Sequence, residues 1–346
     1  MNFSKTIINW YLENKRDLPW RNTTDAYRIW LSEIMLQQTR VNQGLPYYLK
    51  FINAFPTVYE LAKASQDKVL KLWQGLGYYS RARNLHFTAK EIVEKYNGKF
   101  PNTYDELLQL KGVGSYTAAA ISSISFNKAN AVVDGNVFRL LSRVYGIYTP
   151  VDTGAGKREF DLLANRLLDK DNPAAFNQAM MDLGAVVCKP KQPDCHKCPL
   201  NVNCFAHTNN ATIQLPVKSK TKTVKKRYFN YLIYYADSRQ IALHKRTKND
   251  IWRGLYEFPV IESSGKMTKK SLLADKDKLN GHFKAIKDFV LLNKEPVIHK
   301  LTHQHIYASF WIDSKLKKNI SNLDFSPIKE KPVSVLTAGF VKSLIG

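Results

Sequence analysis

Residues 110–124 read LKGVGSYTAAAISSI, a pattern in which one helix ends before Gly112 and a second begins after Gly114. Glycine allows such a turn to approach another backbone closely, and the unpaired amides at the start of a helix suit a phosphate group. Gly112, Val113 and Gly114 are therefore candidate phosphate contacts. An ordinary turn between helices is the alternative, because a Gly-Val-Gly turn alone does not exclude it.

The charge of the chain indicates the kind of partner it binds. Its 346 residues include 52 Lys and Arg against 29 Asp and Glu, a formal net charge of +23, which favours nucleic acid or an anionic membrane surface. No run of roughly 18 apolar residues occurs and no basic amphipathic helix stands out, so we expect no membrane partner. The first residues lack the pattern of a signal peptide, and we expect a cytoplasmic protein.

Hydrophobic periodicity predicts an all-α domain over residues 1–208. Apolar residues there recur at the helical period of about 3.6 residues. Three segments show it clearly: FSKTIINWYL (3–12), DAYRIWLSEIMLQQTRV (25–41) and VYELAKASQDKVLKLWQGL (58–76).

The rest of the chain has a different pattern. Residues 209–227 form a predicted linker, whose part LPVKSKTKTVKKR (215–227) has no apolar periodicity and carries basic residues suited to lie near phosphate. Residues 228–346 alternate at the period of strands, which predicts a small α+β domain with helical segments around 268–280 and at the end. The predicted strands are YFNYLIYYA (228–236), RQIALHKR (239–246), LYEFPVI (255–261) and the hairpin PVIHKLTHQHIYASFWI (296–312).

All four cysteines lie in CKPKQPDCHKCPLNVNC (188–204), with the spacing Cys188-x6-Cys195-x2-Cys198-x5-Cys204. Disulfides are rare in a reducing cytosol, so clustered cysteines there more often bind metal. Structural zinc sites usually pair two short Cys-Cys elements across a longer insert, whereas four thiolates on one compact loop suit a four-iron four-sulfur cluster. Iron and sulfur are favoured on this spacing, and zinc stays the alternative.

Two carboxylates lie where burial or a helix end can change their ionisation. Asp134, in ANAVVDGNVFRLLSRV (129–144), precedes a helix, where N–H donors and the helix dipole favour the ionised form. Glu33, in YRIWLSEIMLQQTRV (27–41), lies one helical turn from Trp30 and from Leu36, and such apolar neighbours raise the pKa of a carboxyl group. A plain helix cap and an exposed glutamate are the respective alternatives.

The hairpin, Asp134 and the cysteine loop occur in the order typical of the helix-hairpin-helix DNA glycosylase superfamily, and the cysteine spacing resembles its endonuclease III-like members. Three further motifs resemble those of the A/G-specific adenine DNA glycosylases of the MutY type: LPWR (18–21), WLSEIMLQQTRV (30–41) and GLGYYSRARNLH (75–86). The resemblance implies an enzyme of base-excision repair that removes adenine opposite 8-oxoguanine or guanine in double-stranded DNA. It also implies a nucleoid-associated monomer with a 4Fe-4S cluster on the four cysteines.

The resemblance assigns roles at the reacting bond. Glu33 corresponds to the acid and base that acts at adenine N7, Asp134 to the carboxylate that stabilises or captures the sugar cation, and Asn136 to a supporting polar residue. Bifunctional relatives carry a lysine two residues after the second glycine of the hairpin, where it forms a Schiff base. Here that position is Tyr116, so the resemblance implies a monofunctional enzyme.

Five further residues receive binding roles by the same resemblance. Gln38 and Tyr78 correspond to residues that wedge into the base stack beside the oxidised guanine. Trp20, Arg21 and Asp182 correspond to the pocket for the flipped adenine. For Trp20, a place in the hydrophobic core is an equal alternative.

The C-terminal domain resembles a Nudix hydrolase over RTKNDIWRGLYEFPVIE (246–262). Where the metal-binding box would follow, the chain reads SSGKMTKKSLLADKDKLN (263–280), so we expect no pyrophosphate hydrolysis. In the adenine glycosylases this domain recognises 8-oxoguanine through a Phe-Ser-His segment, which corresponds here to Leu301, Thr302 and His303. Ordinary strand residues are the alternative.

Two other functions stay open from the sequence. A pyrimidine glycosylase with lyase activity is disfavoured by Tyr116 and by Glu33 in its motif. A non-catalytic DNA-binding protein, which uses the cysteine loop as a structural or redox element, is separated from an enzyme only by experiment.

Overall fold

A computed structural model describes residues 2–219, 224–237, 240–275, 286, 288–317 and 323–345. The chain forms two compact units. The first contains Met1–Lys63 and Asn84–Lys220, and the second contains Ala64–Arg83 and Thr221–Gly346.

The helices of the chain confirm the all-α prediction for its first part. They are α1 (Phe3–Asn14), α2 (Ala26–Leu36), α3 (Val41–Ala54), α4 (Val58–Lys63), α5 (Gln66–Leu72), α6 (Ser80–Tyr96), α7 (Tyr104–Gln109), α8 (Ser115–Phe126), α9 (Gly135–Tyr145), α10 (Gly154–Leu167), α11 (Pro173–Asp182) and α12 (Phe205–Thr208). Side-chain caps fix several of their starts, as where Asp25 accepts from the Tyr27 amide and Thr103 from the Glu106 amide.

Two of the helical segments predicted from the sequence are shorter than expected. The segment 25–41 leaves the helix after Leu36, because Gln38 adopts a left-handed conformation with φ of 56°. The segment 58–76 divides at Ser65, whose side chain accepts from the Lys68 amide and caps α5. Both breaks occur where polar residues interrupt the apolar pattern.

The turn between α7 and α8 has the predicted helix-hairpin-helix form. Gly112 has a φ of +81°, and a Cβ added there would lie 2.8 Å from the Cβ of Asn84. The Val113 amide donates to the Leu110 carbonyl at 3.1 Å, and Gly114 precedes α8 without a side-chain cap. The glycine at 112 is therefore required both by the backbone conformation and by the close approach of α6.

The second unit is built on a mixed sheet. Its strand β1 (Lys225–Ile233) pairs antiparallel with β6 (Val260–Ser263) and parallel with β9 (Gln304–Asp313). The other strands are β2 (Tyr235–Asp237), β3 (Gln240–Ile241), β4 (His244–Lys245), β5 (Tyr256–Glu257), β7 (Phe289–Leu291) and β8 (Val297–Lys300). Strands β7 and β8 pair antiparallel with β9, which confirms the predicted hairpin over residues 296–312.

Helices α13 (Lys269–Ala274), α14 (Ser326–Glu330) and α15 (Val335–Ile345) complete the second unit. They confirm the α+β class that the change of period predicts. The predicted helical segment 268–280 begins at α13, and its residues 276–280 lie outside the described part of the chain.

The last residues of the predicted linker differ from expectation. Strand β1 already begins at Lys225, and Arg227 is 8% exposed. Its guanidinium binds the carboxylates of Asp250 and Glu262 with N to O distances of 2.6 and 2.7 Å. Because its charge is neutralised within the fold, Arg227 does not lie in an exposed linker near phosphate.

Residues 64–83 contact the sheet of the second unit directly. Asp67 accepts from the Lys245 ammonium at 2.6 Å and from the Tyr256 hydroxyl at 3.0 Å. Arg83 donates to the Arg253 carbonyl at 2.7 Å. These contacts hold Tyr78 beside the loop between β8 and β9.

The Gly112→Ala substitution is expected to lower the free energy of unfolding by about 1 to 3 kcal/mol, because alanine disfavours the left-handed conformation and its Cβ meets Asn84. Gly154→Ala is the matched control, since its Cβ would have open space and its cost is within about 0.5 kcal/mol. Urea denaturation followed by circular dichroism measures both. Equal midpoints for the two variants would contradict this account of the hairpin.

Candidate active site

The centre of the site is a hydrogen bond between two buried side chains. Helix α2 places Glu33 on its inner face, where it is 5% exposed. Tyr116, in the first turn of α8, donates its hydroxyl to Oε2 of Glu33 at 2.5 Å. The exposed-glutamate alternative is thereby excluded for Glu33.

Burial raises the pKa of Glu33 above its ordinary value. The hydrogen bond from Tyr116 and the positive charge of Arg21 lower this pKa, and the negative charge of Asp134 raises it further. Burial is the largest of these causes, so the protonated form is favoured. Glu33 can therefore act as a proton donor at a pH where an exposed glutamate is already ionised.

Asp134 lies at the N-cap of α9, as the sequence predicts. Its Oδ1 accepts from the amides of Asn136 and Val137, both at 2.8 Å, and its Oδ2 accepts from the Asn136 side chain at 2.7 Å. These donors lower the pKa of Asp134, but burial outweighs them and the net direction is upward. The sequence showed the donors and could not show the burial.

The Asp134 turn is joined to the cysteine loop through Arg139. The guanidinium of Arg139 donates to Oδ1 of Asn136 at 2.9 Å and to the carbonyls of Gly184 and Cys188 at 2.5 and 2.7 Å. A Cβ at Gly184 would lie 2.8 Å from Asn136. The carboxylate, its supporting amide and the first cysteine are therefore fixed by one buried side chain.

The residues predicted for the adenine pocket fall into two groups. Arg21 and Asp182 form a buried ion pair with an N to O distance of 2.7 Å, in which Asp182 is fully buried. Trp20 is 4% exposed and packs edge-on against the ring of Tyr48, 5.0 Å between centroids. Trp20 is therefore packed within the core, and its role in the adenine pocket stays a prediction.

Two residues that contact Arg21, Gln178 and Tyr11, were not predicted from the sequence. Gln178 accepts from Arg21 at 2.8 Å and from the Tyr11 hydroxyl at 2.5 Å. Gln178 precedes Asp182 by four residues, so both lie on the same face of α11, and that spacing could have indicated it. Tyr11 carries no comparable signal in the sequence.

The cysteine loop gathers its four thiols around one cavity. All four are free, so the disulfide alternative does not occur in this structure. The cavity is lined by Cys188, Cys195, Cys198, Cys204, Arg143 and neighbouring apolar side chains. Among the residues that the structure describes, no group of three or more His, Cys, Asp or Glu is arranged to hold a metal ion.

The second unit contains the other predicted contact residues. Tyr78 is 46% exposed and its hydroxyl lies 3.0 Å from Oγ1 of Thr302. These two residues line a pocket with His303, Lys300 and Trp252. Residues predicted from two separate motifs, Tyr78 from the first and Thr302 and His303 from the second, therefore line one pocket.

In the first unit, Gln38 lies in the turn after α2, is exposed and has a left-handed backbone conformation. Such a position leaves its side chain free to contact a partner.

Comparison with known proteins places the chain in a family. The family described as HhH-GPD superfamily base excision DNA repair protein matches residues 31–163, and the NUDIX domain matches residues 230–334. The adenine DNA glycosylase of Buchnera aphidicola subsp. Schizaphis graminum (strain Sg) is 37% identical over 304 residues, which cover 87% of this chain and 84% of that protein.

The chain belongs to the adenine DNA glycosylase family. The adenine DNA glycosylase of Rattus norvegicus is also similar, with 45% identity over 215 residues that cover 59% of this chain and 42% of that protein. The protein is a DNA glycosylase of base excision repair, an enzyme that hydrolyses N-glycosyl bonds.

Solved structures confirm the fold of this glycosylase. A thermostable thymine-DNA glycosylase has a TM-score of 0.54 and 29% identity, covering 60% of this chain and 95% of that one. A trapped endonuclease III–DNA covalent intermediate has a TM-score of 0.52 at 20% identity, covering 60% of this chain and 94% of that one, and shows similarity of fold. In the described part of the glycosylase, no helix has the length and apolar character needed to cross a bilayer.

Proposed function

We propose that this glycosylase releases adenine that is paired with 8-oxoguanine or guanine in duplex DNA. The observation that carries the proposal is the buried Glu33 with its raised pKa beside Tyr116, together with Asp134 at the start of α9. Adenine is a poor leaving group and needs a proton, and the positive sugar that remains needs a carboxylate. The name of the relatives, adenine DNA glycosylase, supports the same base.

In the proposed reaction, protonated Glu33 donates a proton to N7 of the flipped adenine, and the bond from the sugar to the base breaks. The Asp134 carboxylate stabilises the resulting oxocarbenium ion, while Asn136 and the α9 amides hold Asp134 in place. Water then adds to the sugar cation, and ionised Glu33 accepts a proton from it. The products are free adenine and an abasic site.

Tyr116 makes the proposed enzyme monofunctional. A lysine at this position could attack the sugar and form a Schiff base that leads to strand cleavage. The Tyr116 hydroxyl is instead committed to Glu33, and burial holds the pKa of Tyr116 well above its ordinary value. A neutral phenol that donates its hydrogen bond to Glu33 is not a nucleophile. Tyr116 therefore cannot form the Schiff base, and strand cleavage should require added alkali.

We infer that the four cysteines hold a 4Fe-4S cluster, with zinc as the alternative. Their free thiols surround one cavity, and the Arg143 guanidinium lies 3.4 Å from Sγ of Cys188, where it would offset negative charge on a thiolate. Burial raises the pKa of Cys198 to about 11, so a bound cation is needed to keep it ionised. A cluster would fix the loop that carries Lys189, Lys191 and Lys197 for contact with DNA.

The pocket of the second unit is the proposed site for 8-oxoguanine. The Tyr78 and Thr302 hydroxyls can each donate or accept a hydrogen bond, and His303 adds a ring at the same place. Leu301 replaces the aromatic residue of the family, so the apolar contact there is smaller. Gln38 and Tyr78 are the proposed wedge into the base stack.

The division of labour follows from these sites. We propose that residues 1–208 carry catalysis, that 209–227 connect the two parts, and that 228–346 recognise 8-oxoguanine together with Tyr78, which belongs to the second unit. Gly112, Val113 and Gly114 are the proposed phosphate contacts of the hairpin. The proposal also includes action as a cytoplasmic, nucleoid-associated monomer.

The Glu33→Gln variant is expected to lose adenine release by at least about a hundredfold, the usual contribution of a general acid, while binding to the same duplex is retained. The assay uses single turnover on a labelled duplex with adenine opposite 8-oxoguanine, separated on a gel with and without alkali. A duplex with cytosine in place of adenine is the control.

Three outcomes of this assay would contradict the proposal. Strand cleavage by the wild-type protein without alkali would indicate a lyase. Tight binding with no base release would indicate a non-catalytic DNA-binding protein. Equal rates for wild type and Glu33→Gln would remove Glu33 from the mechanism.

Thr302→Val is expected to reduce the preference for adenine opposite 8-oxoguanine over adenine opposite guanine by about fivefold, the value of one hydrogen bond of roughly 1 kcal/mol. Thr302→Ser is the matched control, because it keeps the hydroxyl. Single-turnover rates at subsaturating enzyme on both duplexes give the preference. A loss shared by valine and serine would show that the hydroxyl is not what reads the oxidised base.

A further inference from the structure

Asp182 lies at the end of α11 and is fully buried. Its Oδ1 accepts from the Arg21 and Arg16 guanidiniums, with N to O distances of 2.7 and 2.5 Å. A carboxylate in this position has no exposed surface to offer a base. Its contacts point instead to an action through Arg21.

Arg21 is held from two sides. One terminal nitrogen, Nη2, donates to Asp182, and the other, Nη1, donates to Oε1 of Gln178 at 2.8 Å and lies 3.3 Å from the Tyr11 hydroxyl. The guanidinium plane is therefore fixed, because both terminal nitrogens are engaged in different directions. The Arg21 side chain is 8% exposed, so without Asp182 its charge would be buried with the neutral partners Gln178 and Tyr11 and less negative charge to offset it.

The charge of Arg21 acts on the acid of the site. It favours the ionised forms of both Glu33 and Tyr116, and so opposes the protonation that burial imposes on Glu33. Asp182 partly neutralises Arg21. The strength of the positive field at Glu33 therefore depends on how completely Asp182 offsets that arginine.

We infer that Asp182 is a positioning residue of the active site, which holds the Arg21 guanidinium beside Gln178 and limits its field, and so sets the pH range over which Glu33 can donate its proton. This inference rests on the proposed function. The sequence resemblance places Asp182 in the wall of the adenine pocket, whereas in this inference Asp182 lies behind Arg21 and acts through it.

The charged and titratable groups that act on Glu33 come from three other elements. They are Tyr116 from α8, Asp134 from the start of α9 and Arg21 from the turn Pro19–Arg21. Helix α3 also packs on α2, and its Lys50 is exposed with its ammonium over the ring of Tyr47. Asp182 reaches this set through Arg21.

The sign of the effect follows from these charges. Glu33 is active as an acid while protonated, so the rate of base release falls as the pH rises through its pKa. Replacing Asp182 by neutral asparagine leaves the field of Arg21 less opposed and favours ionised Glu33. The alkaline limb of the pH–rate profile should therefore move down by about one pH unit.

The test is the single-turnover rate of adenine release, from a duplex with adenine opposite 8-oxoguanine, measured across pH for wild type and Asp182→Asn. At a pH above the alkaline limbs of both proteins, we expect the variant to be about tenfold slower than wild type. At lower pH the two rates should converge. Asp17→Asn is the matched control, because this substitution removes the same charge at an exposed position. Among the described residues, the Asp17 side chain accepts one side-chain hydrogen bond, from Asn22 at 3.0 Å. The limb of Asp17→Asn should stay at the wild-type position.

A second variant keeps the test decisive if Asp182→Asn folds poorly. Arg21→Gln removes the positive charge, so its alkaline limb should move up, whatever happens to the maximal rate. Restoration of the wild-type limb by Asp182→Glu would agree with the inference. A loss of rate that is equal at every pH, or limbs that move the same way in Asp182→Asn and Arg21→Gln, would overturn it.

Failure of the inference and failure of the proposed function are distinguishable in the same data. If the wild-type protein releases no adenine, the proposed function is wrong. If the wild type releases adenine and the alkaline limb of Asp182→Asn lies at the same pH as that of wild type, only the inferred role of Asp182 is wrong.

Discussion

The site depends on one buried carboxyl group, Glu33, and on what surrounds it. Burial alone raises the free energy of the ionised form, and in the proposed reaction the departure of adenine needs a neutral acid. Tyr116 and Arg21 act in the opposite direction and favour ionisation. The balance matters for the proposed reaction, in which Glu33 gives up its proton, because a carboxyl group that was only buried would be a weaker acid.

The second constraint is that Tyr116, which donates to Glu33, and Asp134 both lie at the starts of helices. Tyr116 stands at the start of α8 because the hairpin turns at Gly112, and Asp134 stands at the start of α9 as its N-cap. Arg139 then joins the Asp134 turn to the carbonyl of Cys188. Movement of the cysteine loop would consequently displace the turn that holds Asp134, the carboxylate that faces the sugar in the proposed reaction.

Local patterns were sufficient for much of the fold. The helical period, the hairpin glycines and the change to strand alternation predicted the two kinds of domain, and the N-cap at Asp134 followed from one Asp-Gly pair. The sequence did not show that residues 64–83 contact the sheet of the second unit, because such contacts join segments far apart in the chain. For the same reason Arg227, which resembles part of a basic linker, was not expected to be buried between two carboxylates.

The sequence predicted individual residues of the active site but not the hydrogen bonds that connect them. Motifs indicated Glu33, Asp134 and Asn136, yet Tyr11 and Gln178 belong to no motif and enter only through their contacts with Arg21. The sequence also showed the donors around Asp134 without the burial that raises its pKa. Burial depends on every neighbouring element, which no local pattern contains.

The most direct test of this account is a titration of Glu33 by infrared difference spectroscopy, wild type minus Glu33→Gln, in the absence of DNA. The account predicts a protonated carboxyl band, assigned to Glu33, that persists as the pH is raised past the ordinary glutamate pKa of 4.5. A band that disappears at that ordinary value would show that burial does not keep Glu33 protonated, and would contradict the account.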